Sequence, residues 1–162
     1  AQFGVELENG FTLGRGKYNT EVKSHFITEG IDGDIDFGDR EHQIYALEGT
    51  DILAKKGKFV ELSAKECESG RCVYISGLPY SLKNTRLLYR AILWASHGEE
   101  DIYKWFSSNE NVEVNAYLEN NKFCTVNNTY SEQESIIYRG DKSSFHIKLA
   151  PNEIKWFEIE EK

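Results

Sequence analysis

The chain has 162 residues, a net charge of −8, 40% hydrophobic and 28% charged residues, and two prolines, which exclude a disordered, collagen-like or disulfide-framework protein. A chain of this length can bury roughly 69% of its extended surface, enough for one core or for one core and a small second one. No basic stripe is offered to a phosphate backbone, and the longest apolar runs, such as Ala91-Ile92-Leu93-Trp94-Ala95, fall far short of the roughly 20 residues that span a bilayer, so neither nucleic acid nor membrane is an expected partner.

Residues 1–80 read as β-rich. Gln43–Leu47, Thr50–Ala54 and Phe59–Lys65 are short runs with β-branched or aromatic residues at alternate positions, bounded by turn residues. A hairpin is predicted from Phe59 to Ile75 around Ser69-Gly70, with its second strand, Arg71–Ser76, stopped by Gly77-Leu78-Pro79. Ser81 is then a candidate N-cap for a helix over Leu82–Ser96, and Gly98 stands where a C-terminal glycine ends it. Leu87, Leu88, Ala91, Ile92 and Ala95 form one apolar stripe, of which Leu88, Ala91, Ile92 and Ala95 are predicted to pack on Val73 and Ile75. Glu99, Glu100 and Asp101 suit the first turn of a second, short helix with Ile102, Trp105 and Phe106 on one side, making 99–110 a linker helix. After Asn109 the period changes to two. Strands are predicted at Val112–Leu118, Lys122–Asn127, Ser135–Tyr138, Ser144–Leu149 and Ile154–Ile159, which together argue for a small antiparallel sandwich or barrel.

Several motifs invite chemistry and yield blander readings. Asp32-Gly33-Asp34-Ile35-Asp36 has the opening carboxylates of a calcium loop, but the required glycine is Phe37 and the closing glutamate is Gln43, leaving a solvated acidic turn. Gly14-Arg15-Gly16-Lys17 fails as a phosphate loop because Phe11 stands at the first glycine and Tyr18 at the hydroxyl position. Cys67 and Cys72 flank Ser69-Gly70, where a two-residue turn would set them face to face as reduced thiols. His25, His42, His97 and His146 are isolated, with no metalloprotease pattern and no serine in a nucleophile-elbow setting. Trp105, Tyr117, Phe123, Tyr130, Trp156 and Phe157 are read first as core and second as a sugar-stacking platform. Asn127-Asn128-Thr129 is a glycosylation sequon by pattern only. Three cysteines, an odd number, favour a reducing, cytoplasmic setting. The absence of methionine, including at the first residue, points to a processed or truncated piece.

From Gly70 onward the text becomes specific. Gly70–Ser81, Asn84, Arg86–Trp94, Lys104–Asn109, Val126–Thr129 and Ile154–Ile159 together resemble the C-terminal part of the galactosyl-N-acetylhexosamine phosphorylases, the lacto-N-biose and galacto-N-biose phosphorylase family. Val5-Glu6, Lys17-Tyr18-Asn19 and His25-Phe26-Ile27 look like the same family, so the resemblance covers nearly the whole chain.

The resemblance implies a much longer protein in which an N-terminal barrel carries the chemistry, followed by an open α/β amidotransferase-like domain and a small all-β domain. On that basis the expected fold class is α+β. Residues 1–98 would be the C-terminal part of the amidotransferase-like domain, 99–110 a linker helix, and 111–162 an antiparallel β domain. The implied reaction is inverting cleavage of a β-1,3-galactosyl-N-acetylhexosamine by inorganic phosphate, a co-substrate rather than a cofactor, giving α-galactose 1-phosphate. Inversion requires a carboxylic acid on the leaving oxygen and attack on the opposite face. In the family that acid lies in the barrel, so no catalytic, cofactor-binding or metal residue is assigned here. The implied partners are the barrel of the same protein, the disaccharide, and a second copy paired across an exposed strand containing Val73 or Ile44. A stand-alone carbohydrate-binding β module and an amidotransferase-like regulatory fold with a ligand near Ser76-Gly77 are the alternatives.

Overall fold

A computed structural model describes residues 3–7, 21–31, 33–39, 43–68 and 70–159. The chain divides into two units, Ala1–Glu99 and Glu100–Lys162, and each is described by itself.

In the first unit, short strands β1 (Val5–Leu7) and β2 (Ile44–Ala46) pair antiparallel. The main sheet is β3 (Asp51–Lys56), β4 (Phe59–Cys67) and β5 (Gly70–Ile75), in that order and antiparallel throughout. One face of the sheet presents Leu62, Ala64, Val73 and Ile75 to helix α1 (Leu82–Ala95), and the other carries Ile52, Val60 and Tyr74 under Ala46 of β2. Apolar side chains of this sheet are thus buried on both faces. Ser81 caps the helix by accepting from the Asn84 N–H at 3.0 Å, satisfying one of the amides that a first turn leaves unpaired.

The helix buries Leu87 and Ala91 of the predicted stripe but turns its other side outward. Asn84, Leu87, Ala91 and Trp94 face the sheet, whereas Leu88 is 42% and Ile92 57% exposed. Two features rotate the helix. The indole of Trp94, larger than any side chain in the predicted stripe, fills the core beside Ile27 and Phe37. Asn84 ties the helix start inward, its Nδ2 donating to the carbonyls of Asp36 at 2.8 Å and Pro79 at 2.7 Å.

The strand pairs of both units are antiparallel among the described residues, with a lone parallel bridge between Val22 and Ile52. The first unit is therefore a set of small antiparallel sheets with one helix.

The second unit opens without the expected second helix. Glu99–Asp101 forms one 3-10 turn at its start, Trp105 takes a left-handed φ of 51°, and Phe106–Ser107 is already strand β6. A left-handed non-glycine residue cannot continue a right-handed helix. Strands β7 (Val112–Tyr117), β8 (Lys122–Asn127), β9 (Gln133–Tyr138), β10 (Ser144–Leu149) and β11 (Ile154–Glu158) match the period-two segments closely. They form two sheets, β10-β9-β6 and β11-β8-β7. One apolar cluster draws Val112, Phe123 and Phe157 from the second sheet and Ile137, Phe145, Ile147 and Leu149 from the first, which is a six-stranded sandwich.

Several buried polar groups of this sandwich find partners, Thr125 Oγ1 and Arg139 Nε being exceptions. Ser107 and Ser135 hydroxyls bond each other at 2.7 Å. Asn127, fully buried at the end of β8, donates to Ser131 O and Ala150 O, both at 2.8 Å, and accepts from Thr129 N and Oγ1 at 2.9 and 2.8 Å. The sequon pattern at Asn127 thus marks a structural asparagine whose amide pins two loops.

Candidate functional site

At the end of the sandwich where β9 and β11 finish and β6 and β8 begin, the second unit holds a cavity of about 480 Å³. Trp105, Phe123 and Ile159 supply its apolar wall; Arg139, Asp141 and Ser143 supply its polar groups. The positive φ at Trp105 sets the indole directly on Gly140, where an added Cβ would lie 2.6 Å from the ring. Trp105 also tilts against Phe123 at 5.3 Å, and Phe123 stacks on Phe157 at 4.9 Å and 16°. The Arg139 guanidinium lies over Phe145 at 5.1 Å and over Phe123 at 6.0 Å. Its Nε is buried and meets no hydrogen-bond acceptor among the described residues. The loop carrying it is held by Arg139 N donating to Ser143 O at 2.8 Å, and by Asp141 Oδ1 accepting from Ser143 N at 3.0 Å and Oγ at 2.6 Å. This arrangement offers aromatic surface and a guanidinium donor, which suits binding rather than proton transfer.

The aromatic candidates divide by face. Phe123 and Phe157 face inward, as does Trp105, whereas Tyr130 is fully outside. Tyr117 and Trp156 lie on the outer face of β11-β8-β7, 46% and 56% exposed, with ring centroids 5.4 Å apart at 38°. Their strands flank β8, where Cys124 stands opposite both Asn115 and Trp156, so this buried thiol lies on the same face and its pKa is pushed up by burial.

The remaining candidates stay apart or serve the fold. The β4–β5 turn pairs Cys67 with Gly70 and Cys72 with Lys65, so the two cysteines are diagonal rather than opposite; their Sγ atoms are in hydrogen-bonding contact at 3.9 Å, with no disulfide between them. His25 accepts from the Ile27 N–H at 3.2 Å through Nδ1 and meets Trp94 edge-on at 5.0 Å. His146 is exposed near Glu134, and His97 takes a left-handed φ of 58° just after the helix. His42, Asp32 and Gly14–Lys17 lie outside the described residues. Asp36 Oδ1 accepts from the Gly38 N–H at 2.8 Å, and Lys83 reaches Asp34 O at 3.2 Å. Among the described residues no three His, Cys, Asp or Glu converge as a metal cluster. The strand end at Ser76-Gly77 is filled by backbone, since a Cβ on Gly77 would fall 2.3 Å from Phe37 O. In the sequence Arg139 carries no signal beyond lying between the strands predicted at Ser135–Tyr138 and Ser144–Leu149; its cavity partners come from its own loop and from three other segments.

Comparison with known proteins bears on both units. Residues 1–101 match the family model described as the lacto-N-biose phosphorylase central domain, and residues 105–157 the model described as the lacto-N-biose phosphorylase C-terminal domain. Two proteins of Lachnoclostridium phytofermentans named 1,3-beta-galactosyl-N-acetylhexosamine phosphorylase are 56% and 49% identical over 97% and 95% of this chain. A protein of the same name from Bifidobacterium longum is 38% identical over 78% of it. The chain spans only 22%, 21% and 17% of those relatives' lengths, respectively. With both units matched by its domain models, the chain belongs to the lacto-N-biose phosphorylase family.

Proposed function

We propose that this chain is a non-catalytic C-terminal portion of an inverting β-1,3-galactosyl-N-acetylhexosamine phosphorylase, a glycosyltransferase whose acid and phosphate site lie in a barrel elsewhere in the same protein. The observation that carries this reading is coverage: nearly all of the chain aligns, yet to only 22% of the length of the relative that is 56% identical. The substrate class comes from the relatives' names. In this reading the first unit is the end of an amidotransferase-like α/β domain, supported by β5 running into α1, and the protein is a cytoplasmic homodimer.

The test is phosphorolysis. The 162-residue chain incubated with lacto-N-biose or galacto-N-biose and inorganic phosphate releases no galactose 1-phosphate, whereas a protein joining it to a relative's barrel does. Turnover by the chain alone overturns the assignment. A stand-alone carbohydrate-binding module is the second reading, favoured by the exposed Tyr117–Trp156 pair; a barrel-joined protein that turns over only with this portion attached decides against it.

A further inference from the structure

We infer that the cavity of the second unit is a binding site for a neutral saccharide, with the Arg139 Nε–H donating to a ring substituent and the pyranose lying against Trp105. The choice of sugar rests on the phosphorylase reading above; the existence of the site does not.

Three observations converge. The volume, about 480 Å³, lies within the roughly 300–1,000 Å³ of small-ligand pockets. The wall is aromatic and aliphatic, built from Trp105, Phe123 and Ile159, with the Trp105 indole held in place against the Gly140 backbone. A pyranose has one apolar C–H face and a polar edge, so it can rest on an aromatic surface while its edge is hydrogen-bonded. Most telling is Arg139. A buried N–H without an acceptor is costly, and structures rarely keep one without a reason. The two phenylalanine rings hold the guanidinium plane but cannot accept a hydrogen bond from Nε as an oxygen would. Nε is closed to solvent as it stands, so a hydroxyl or acetamido oxygen in the cavity becomes its acceptor when the guanidinium turns toward the ligand.

The charge balance favours a neutral ligand over an anion. Asp141 lines the same cavity as Arg139, so a phosphate or carboxylate entering there would meet a carboxylate as well as the guanidinium. A hydroxyl-rich ring is compatible with both, donating toward Asp141 and Ser143 while accepting from Arg139.

The site is distinct from the outer aromatic pair, and the three tryptophans, Trp94, Trp105 and Trp156, give separate indole N–H signals. Nitrogen-15-labelled chain is titrated in parallel with galactose, N-acetylglucosamine, N-acetylgalactosamine and sodium phosphate while those signals are followed by NMR. A saturable shift at Trp105 with at least one sugar, with Trp94 and Trp156 unmoved, is the expected result. NOEs from the sugar ring protons to the Trp105 indole in the wild-type chain locate the ligand without any mutation. Arg139→Lys keeps the charge but removes Nε, and should weaken binding about tenfold or more, the worth of a charge-assisted hydrogen bond.

A shift at Trp156 alone places the sugar on the outer face and overturns the proposal. So does a Trp105 response to phosphate but to no sugar, unchanged affinity in a folded Arg139→Lys, or no response to any sugar at 50-fold the concentration of a typical millimolar site. None of these results bears on phosphorolysis by the barrel-joined protein, so the two readings fail separately.

Discussion

Asn127→Ala should destabilise the second unit by about 2–4 kcal/mol. The side chain is fully buried and makes four hydrogen bonds of 2.8–2.9 Å, two donated to Ser131 O and Ala150 O and two accepted from Thr129. At a net ~1 kcal/mol each these sum to about 4 kcal/mol. Ser131 and Ala150 are exposed residues, so water can return to their carbonyls after truncation, which lowers the figure toward 2. Asn127→Asp sharpens the test. It keeps the acceptor for Thr129 but sets a second carboxylate oxygen against two carbonyls, so its pKa in the folded chain rises above the ordinary value of about 3.9. A carboxyl raised on folding is protonated more readily in the native state, so the Asp variant should be weaker than the Ala variant at pH 7 and recover as pH falls toward 4. Urea melts of the three chains, followed by amide exchange in β8 and β10, measure both effects. An Ala variant within 0.5 kcal/mol of wild type, or an Asp variant with no pH dependence beyond the parent's, would refute the four-bond account.

Leu87→Ala should cost about 2–5 kcal/mol and Ile92→Ala less than about 1, because Leu87 is fully buried and Ile92 57% exposed; thermal melts showing the reverse order would restore the stripe predicted from sequence. Gly140→Ala drives a Cβ to 2.6 Å from Trp105 and should displace that indole at a cost of about 1–3 kcal/mol, read as a shifted indole N–H signal. His25 titrates with a pKa lowered first by burial, then balanced between Asp51, Glu66 and Glu99, which raise it, and Arg71, which lowers it. The unfolded chain therefore binds this proton more tightly, so the first unit's stability is full above about pH 6.5 and declines as pH falls below it. His25→Asn, which can still accept from Ile27 N–H, should flatten that decline in urea melts taken from pH 7.5 to 5.

Local rules read from the sequence alone located most elements. Alternation of apolar residues placed β3 through β5 and β7 through β11 to within a residue or two, because successive side chains of a strand point to opposite faces whatever lies across from them. Ser81 and Gly98 bracketed α1 because the unpaired amides and carbonyls of a helix end must be satisfied nearby. The combined text of Gly70–Ser81, Arg86–Trp94 and Ile154–Ile159 identified the family, which the two domain models match.

Tertiary structure decided what depends on partners distant in sequence. Which side of α1 faces inward turned on Trp94 and on the Asn84 bonds to Asp36 and Pro79, two residues from a loop and a turn that helical spacing does not register. The segment 99–110 has helical composition, yet Trp105 adopts a left-handed conformation with its indole packed on Gly140, 35 positions further on. Tyr117 and Trp156 became an exposed pair only when β8 was placed between their strands. The cavity joins Trp105, Phe123, Arg139 and Ile159, four residues from separate segments. Short-range periodicity records which side of its own element a residue occupies; what stands across from that side is set by the register and packing of all the others, and that information resides only in the folded chain.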